Sequence, residues 1–414
     1  LGFGFFRIVN AGLRVLIITA IALGVARLAF LATLSLVHRF TVEARTPPEL
    51  DPETGPMVSV LIPCFNEEKV IVSSVRQILA SHWHHLEVIV LDDGSKDRTA
   101  AEVEAAFAGH PQVRLLSFEN GGKARALNRG LLEARGDIIV ALDADTLFAP
   151  EALGRLARWF VDPQIGAVAG NALVGNRLNL VTRWQALEYV TAQNLERRAL
   201  AALGAVTVVP GAVGAWRKSA LIDLGGYPPD TLAEDQDLTI AVQRAGWDVA
   251  FDPEARAYTE APDTVAGLLK QRFRWSFGTL QCLWKHRSAL FDRRTPVLGF
   301  IALPQIWLFQ ILLAVAAPLV DLAVVWGLVS GILAHIAHPL EWSPDDMSNI
   351  LLYWGVFVLI DLMAGILGMA MEREAPWADL PWLPLQRFGY RQLMYSVVVR
   401  AVITAVRGPQ VGWG

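Results

Sequence analysis

Residues 136–145 read Gly136-Asp137-Ile138-Ile139-Val140-Ala141-Leu142-Asp143-Ala144-Asp145: after Gly136-Asp137 comes an apolar run that ends in two aspartates one residue apart. A short apolar run bounded by turn residues is the mark of a strand covered on both faces. Two more runs have the same form. Met57–Cys64 leads into Phe65-Asn66-Glu67, and Leu86–Leu91 leads into Asp92-Asp93-Gly94-Ser95. Gly166–Ala169 is a shorter fourth run. Amphipathic stretches at Val70–Ala80 and Lys123–Ala134 lie between the first three. Alternating βα units predict an α/β domain with a largely parallel sheet and helices on both faces.

Outward from this block the composition changes. Of 414 residues, 53% are hydrophobic and only 18% charged, and the excess sits in three stretches. Val15–Val37, Leu298–Ile336 and Asn349–Met371 each carry a single charge, respectively Arg27, Asp321 and Asp361. A helix needs about 20 apolar residues to cross a bilayer, so all three are expected to be membrane segments. Leu298–Ile336 as one straight helix would measure about 58 Å at 1.5 Å per residue. It contains Pro304 and Pro318, so an interfacial helix up to about Pro304 followed by a crossing is expected. Gly389–Val406, with three nearby arginines, spans or lies on the surface. Glu341–Ser348 is expected to be a non-cytoplasmic acidic linker, and Thr46–Gly55 a Pro-rich linker ahead of the soluble block. The resulting division is 1–45, 46–290 and 291–414. The chain starts at Leu1 rather than Met, as a fragment or a processed chain would. A net charge of −4 gives no support to nucleic acid as a partner. Two cysteines, Cys64 and Cys282, exclude a disulfide scaffold and are expected to be reduced packing residues.

Ligands of open α/β sheets bind at the carboxyl ends of the strands. Asp92-Asp93, Asp143-Ala144-Asp145 and the run Thr231–Asp237, which contains Glu234-Asp235, supply acids at such places. Any one of them is equally at home as a turn or N-cap residue; three at one edge point to a ligand. On an extended segment Asp143 and Asp145 face the same side, where they can address one ligand and one hard cation, Mg²⁺ or Mn²⁺. Lys123 follows Asn120-Gly121-Gly122, a loop whose backbone can approach an anion. In Gln271-Arg272-Phe273-Arg274-Trp275, Arg274 can bind phosphate oxygens in a bidentate way and Trp275 offers a face for a sugar ring.

Taken in order, Pro63-Cys64-Phe65-Asn66-Glu67, Asp92-Asp93-Gly94-Ser95, Lys123 with Ala126-Leu127-Asn128, Asp143-Ala144-Asp145, Glu234-Asp235 and Gln271-x-x-Arg274-Trp275 resemble the motifs of processive family-2 glycosyltransferases. The nearest likeness is to bacterial poly-β-N-acetylglucosamine and chitin-oligosaccharide synthases, with hyaluronan and cellulose synthases as further relatives. The resemblance covers roughly Val58–Leu290. It implies a GT-A (Rossmann-like, nucleotide-diphospho-sugar transferase) domain inserted between transmembrane helices. It further implies a UDP-sugar donor, most simply UDP-GlcNAc, and a growing glycan as acceptor. Membrane lipid surrounds the chain, and room is left for an accessory subunit. The resemblance places such a chain in a bacterial inner membrane, crossed several times, with the catalytic domain expected in the cytoplasm. One departure is Ala233, where relatives often have Thr before Glu-Asp.

The resemblance also implies roles. Asp92 and Asp93 hold uracil and ribose, with Pro63, Asn66 and Glu67 beside them in the donor site. Lys123 contacts the diphosphate, Asp143 supports the nucleotide and Asp145 ligates the metal. Asp235 is the general base and Glu234 orders the site around it. Gln271 and Arg274 steady the leaving diphosphate. Trp275 and the loop Val209–Trp216, with Gly211 and Gly214, receive the acceptor. Base and leaving group on opposite faces of the anomeric carbon imply inversion and a β-linkage.

An unpaired charge within a membrane run costs at least about 2.5–3.5 kcal/mol, so Arg27 is expected to pair with Asp321 or Asp361. Trp275, Trp284, Trp307 and Trp326 are candidates to line a polymer path. Two other readings remain at this stage: transfer of a single sugar to a polyprenyl phosphate or other lipid, and a non-catalytic sugar-binding export scaffold.

Overall fold

The computed structural model describes residues 2–337 and 344–408. Eight strands form one mixed sheet: β1 Val58–Cys64, β2 Leu86–Asp92, β3 Val113–Ser117, β4 Ile138–Ala141, β5 Leu147–Phe148, β6 Ile165–Val174, β7 Gly214–Arg217 and β8 Asp248–Thr259. Their spatial order is β3-β2-β1-β4-β7-β6-β8-β5. Strands β1 to β4 are parallel to one another, as expected. β6 and β8 are also parallel to each other, so the sheet is largely parallel as expected; the exceptions are β7, antiparallel between β4 and β6, and β5, antiparallel to β8.

Successive residues of the central strands feed two cores. Val60, Ile62, Val88, Val90 and Val140 pack on one face; Leu61, Ile89, Leu91 and Ile139 pack on the other. Each such side chain contributes about 1.5–3 kcal/mol on full burial. This accounts for the continuous apolar runs in the sequence.

Register brings the strand ends together. Leu61 pairs with Ala141, so Pro63 and Asp143 lie at the same level, and Cys64 pairs with Asp92. Because β7 is antiparallel, its first residue, Gly214, pairs with Ala141, the last of β4. The turn Pro210–Val213 therefore hangs over the same edge.

Among the described residues, three helices are long and apolar enough to cross a membrane, within Arg14–Arg45, Leu298–Leu333 and Leu352–Met371. The expected break near Pro304 is absent. The chain stays helical from Leu298 to Ala337, with widened turns at Leu298–Ala302 and Ile306–Leu312 on either side of the proline. Widened turns of this kind accommodate a residue that cannot donate its backbone hydrogen bond. The part before and just after Pro304 is covered by protein: Leu298, Ala302, Leu303 and Ile306 pack with Leu200, Ile240 and Leu283 of the α/β block. The last helix, Tyr390–Arg407, packs against the helix Val265–Lys285 and against Leu313–Ala337. The predicted linker Glu341–Ser348 lies outside the described residues as far as Ser343; from Pro344 the chain is helical.

The membrane charges all have partners, but not those expected. Arg27 donates to Glu196 at 2.8 Å and lies over the Phe309 ring. Glu196 also accepts from Gln305 and Gln310, at 2.7 and 3.0 Å. Asp361 is held by Arg387 and Arg391 at 2.5 and 2.6 Å, and Asp321 by Gln392 at 2.9 Å. Arg27 therefore pairs with the α/β block instead of another membrane helix. The reason is that the helix Leu195–Ala201 packs along the first span.

Candidate active site

A cavity of about 840 Å³ opens at the strand-end edge. Its walls include Pro63 near the end of β1 and Glu67 after it, Lys123, Asp143 and Asp145 after β4, Gly211, Glu234 and Asp235, and Gln271, Arg274 and Trp275. Segments from more than 200 residues of chain thus converge, as the motifs require.

Lys123 is the hub. Its Nζ lies 2.8 Å from Asp143 and 2.9 Å from Glu234. Burial alone would lower its pKa, but these two carboxylates outweigh burial and hold it well above the ordinary lysine range. The backbone ahead of it is fixed by Asp93, whose two carboxylate oxygens accept the amides of Gly121 and Gly122 at 2.9 and 2.7 Å. Gly122 has φ +89°, which a side chain would strain.

Asp235 stands in the first turn of the helix Glu234–Arg244. Its Oδ2 accepts the amide of Gly211 at 3.2 Å. Burial, then the neighbouring Glu234, push its carboxyl up to about 6. A Cβ on Gly211 would meet Lys123 Nζ at 3.1 Å, so the backbone there approaches the hub closely. Asp145 is likewise pushed up to about 6, by burial and then by Asp143. Glu67 is raised by burial and by Asp145. A crowd of carboxylates, each hard to ionise beside the next, is what a divalent cation relieves. Among the described residues no three His, Cys, Asp or Glu side chains form a metal cage. The donor set instead fits Mg²⁺ or Mn²⁺, which one or two carboxylates hold together with substrate phosphates.

The helix Val265–Lys285 is fastened to the Glu234–Arg244 helix. Thr279 donates to Gln236 at 2.8 Å, Lys285 donates to Asp237 at 2.8 Å, and His286 lies 2.7 Å from the same carboxylate. Ala233 belongs to this seam. A Cβ added at Gly278 would fall 2.7 Å from its methyl, so the departure at position 233 sits where the two segments meet.

Four residues expected in the site lie off the cavity wall. Asn66, at φ +60°, accepts the Lys96 amide at 2.8 Å and ties the β1 and β2 loops together. Asp92 accepts the Ser95 amide at 3.0 Å. Asp93 acts on the glycine loop. Gly214 is a buried position of β7, where a Cβ would meet Val209 at 2.4 Å. Trp284, Trp307 and Trp326 are not on the wall either. Cys64 and Cys282 are free and buried.

Other wall residues escaped the sequence reading: Glu188, Tyr189, Glu196, Arg197, Glu260 and Gln310, together with Arg27 as a cavity residue. A widened turn, Tyr189–Asn194, lies between the helices Leu180–Glu188 and Leu195–Ala201. It shifts the phase so that residues on both sides of it face the cavity. Their only signal was charge, Glu188 and Glu196-Arg197-Arg198, in a stretch otherwise easily read as a solvated helix.

The glycosyltransferase-like family 2 profile matches residues 56–278. Poly-β-1,6-N-acetyl-D-glucosamine synthase of Staphylococcus aureus (strain COL) is 30% identical over 288 residues, 67% of this chain and 70% of that protein. The Staphylococcus epidermidis protein of the same name is 30% identical over 223 residues, 53% of this chain and 54% of that protein. Among solved structures, a Pyrobaculum calidifontis mannosyltransferase in complex with GDP-Man and Mn²⁺ aligns with a TM-score of 0.61 at 22% identity, covering 93% of this chain and 98% of that one. The chain belongs to glycosyltransferase family 2. It is an enzyme of the GT-A fold, with one candidate membrane helix before the catalytic domain and two after it.

Proposed function

We propose that the protein polymerises a β-linked glycan from UDP-GlcNAc with inversion at the sugar carbon. The observation that carries this reading is the union, in one cavity, of Asp143, Asp145, Lys123, Asp235 and the Gln271–Trp275 run. The name of the staphylococcal relatives favours N-acetylglucosamine as the sugar.

A sugar hydroxyl is a poor nucleophile at neutral pH, and a positioned base contributes about 10²–10⁴-fold. Asp235 takes that proton, and its raised pKa suits it to the task. The Gly211 amide steadies its Oδ2. Glu234 keeps Lys123 beside the place of the diphosphate, and Gln271 and Arg274 share the negative charge that grows on the leaving group. Asp145, with Asp143 beside it, holds Mg²⁺ or Mn²⁺, which when bound supplies further neutralisation of the diphosphate. Trp275 receives the end of the acceptor glycan. Asp93 acts at one remove, by shaping the Gly121–Lys123 loop, and Asp92 does so through the Ser95 turn.

The cavity also reaches Arg27 of the first span, Gln310 of the second and Met394 of the last helix. A product leaving Trp275 therefore meets membrane helices, a setting for coupling to export, and the Gln271-x-x-Arg274-Trp275 run on the same wall is the feature that favours a polymer over transfer of one sugar to a lipid. The domain division 1–45, 46–290 and 291–414 and a cytoplasmic catalytic domain in a bacterial inner membrane belong to the same reading.

The test is incubation of the purified, membrane-embedded protein with UDP-GlcNAc and Mn²⁺ or Mg²⁺, followed by sizing of the product. A ladder of β-linked oligomers is expected, and single-sugar lipid alone would refute polymer synthesis. Asp235→Asn should abolish transfer and keep UDP binding; near-normal turnover would remove the base assignment.

A further inference from the structure

Arg272 is the second residue of the Gln271–Trp275 run, and neither donor binding nor proton transfer has given it a task. It is 5% exposed, a costly place for a guanidinium. Its guanidinium carbon lies 4.2 Å from the centre of the Trp275 ring. Its terminal nitrogen donates to Glu188 Oε2 at 2.8 Å, while its buried Nε has no partner. The group is thus placed to cover the indole more than to collect hydrogen bonds. The same Glu188 oxygen accepts the hydroxyl of Tyr390, the first residue of the helix Tyr390–Arg407. Trp275, Arg272 and Glu188 line the cavity, whereas Tyr390 stands behind them.

We infer that Arg272 is a positioning residue that fixes the plane of Trp275, and that Tyr390, together with Glu188, fixes Arg272, so that the last helix of the chain sets the acceptor platform. The guanidinium covers one part of the indole and Tyr189 stands beside it, ring centres 6.3 Å apart and tilted by 49°; the edge that lines the cavity is where a sugar ring meets it. A planar guanidinium can lie flat on the ring while bonding a carboxylate in its own plane; an ammonium cannot do both. The inference rests on the reading of Trp275 as the acceptor platform, and the experiment separates the two.

The assay uses the full chain in lipid nanodiscs with Mn²⁺, following UDP release against a short β-linked N-acetylglucosamine oligomer as acceptor, with UDP binding measured by calorimetry. Arg272→Lys is expected to raise the acceptor KM at least five-fold and to leave the UDP dissociation constant within two-fold. Tyr390→Phe, which keeps the ring and removes only the hydroxyl, is expected to raise the acceptor KM two- to five-fold. The double variant should be no worse than Arg272→Lys alone, because both act on one contact chain. Trp275→Ala is run in parallel. If it raises the acceptor KM while Arg272→Lys and Tyr390→Phe match the wild type, the relay is overturned and the platform stands. If Trp275→Ala leaves the acceptor KM unchanged, platform and relay both fall. Equal loss of UDP affinity and acceptor affinity in Arg272→Lys would mean general loosening and would also overturn the relay.

Discussion

Lys123 and Glu234 meet at 2.9 Å across the cleft, and this contact joins the loop after β3 to the helix that carries Asp235. The lysine is held in place before any substrate enters. Its charge is shared with Asp143 and Glu234, which a bound diphosphate must compete for or complement. Lys123→Met should lower kcat/KM for the donor by about 100-fold, equivalent to about 2.7 kcal/mol of transition-state stabilisation. Steady-state kinetics at varied UDP-GlcNAc check this; a loss under three-fold would mean the lysine is structural only.

The pH profile should report Asp235. Burial and Glu234 raise its carboxyl to about 6, and only the ionised form accepts a proton. Donor kcat/KM is therefore expected to be flat above about pH 7 and to fall near ten-fold per unit well below 6. Asp145 titrates in the same range, so protons also compete with the cation there. Saturating Mn²⁺ should remove that second contribution and leave the limb due to Asp235. A profile flat down to pH 5 would contradict the assignment.

Asp252, in strand β8, is fully buried and accepts from Arg158 at 2.6 and 3.0 Å and from Trp159 Nε1 at 2.8 Å. Removing one partner of such a pair leaves an uncompensated charge in the interior, at a cost of about 3–5 kcal/mol. Arg158→Met should lower the thermal midpoint of the detergent-solubilised protein by several degrees. Arg294→Met, which breaks an exposed pair with Asp292, should shift it by less than a degree or so.

Arg27 and Glu196 are expected to behave as a unit. Arg27→Met leaves Glu196 with two amide donors and without its direct ion-pair partner at the edge of the membrane block. Folded yield, read by size-exclusion chromatography in detergent, should drop several-fold for Arg27→Glu. It should recover in part when Glu196→Arg is added. Independent losses in the two single variants, with no recovery in the double, would show that the pair is incidental.

The strands whose neighbours lie close in sequence were legible. β1, β2 and β4 are apolar on both faces, so their residues announce a covered parallel sheet, and the acids that follow them were read in place. On the other side of β4, the core of β6 was legible as Gly166–Ala169, but β7 and β8 were hidden for separate reasons. β7 is only Gly214–Arg217, set in a glycine-rich turn that looks like a loop. β8 carries Pro253 and three acids, which argue against a strand. It tolerates them because its pairing with β6 slips between Ala169 and Asn171, opposite the stretch between Phe251 and Arg256. At the site, Asp143, Asp145, Glu234 and Asp235 were readable because each sits beside its own strand end or helix start. Glu188 and Glu196 were not, since a widened helical turn decides which way they face, and periodicity assumes a constant turn. Arg27 was recognised as needing a partner, but the partner came from a stretch that reads as part of the soluble block.

One wall of the reaction chamber is made of Arg27, Gln310 and Met394, side chains of helices outside the α/β block. Excising residues 46–290 as a soluble fragment would strip that wall away and flood the acceptor end with bulk water. Detergents that pry these helices from the catalytic block should silence the enzyme without touching a single motif residue.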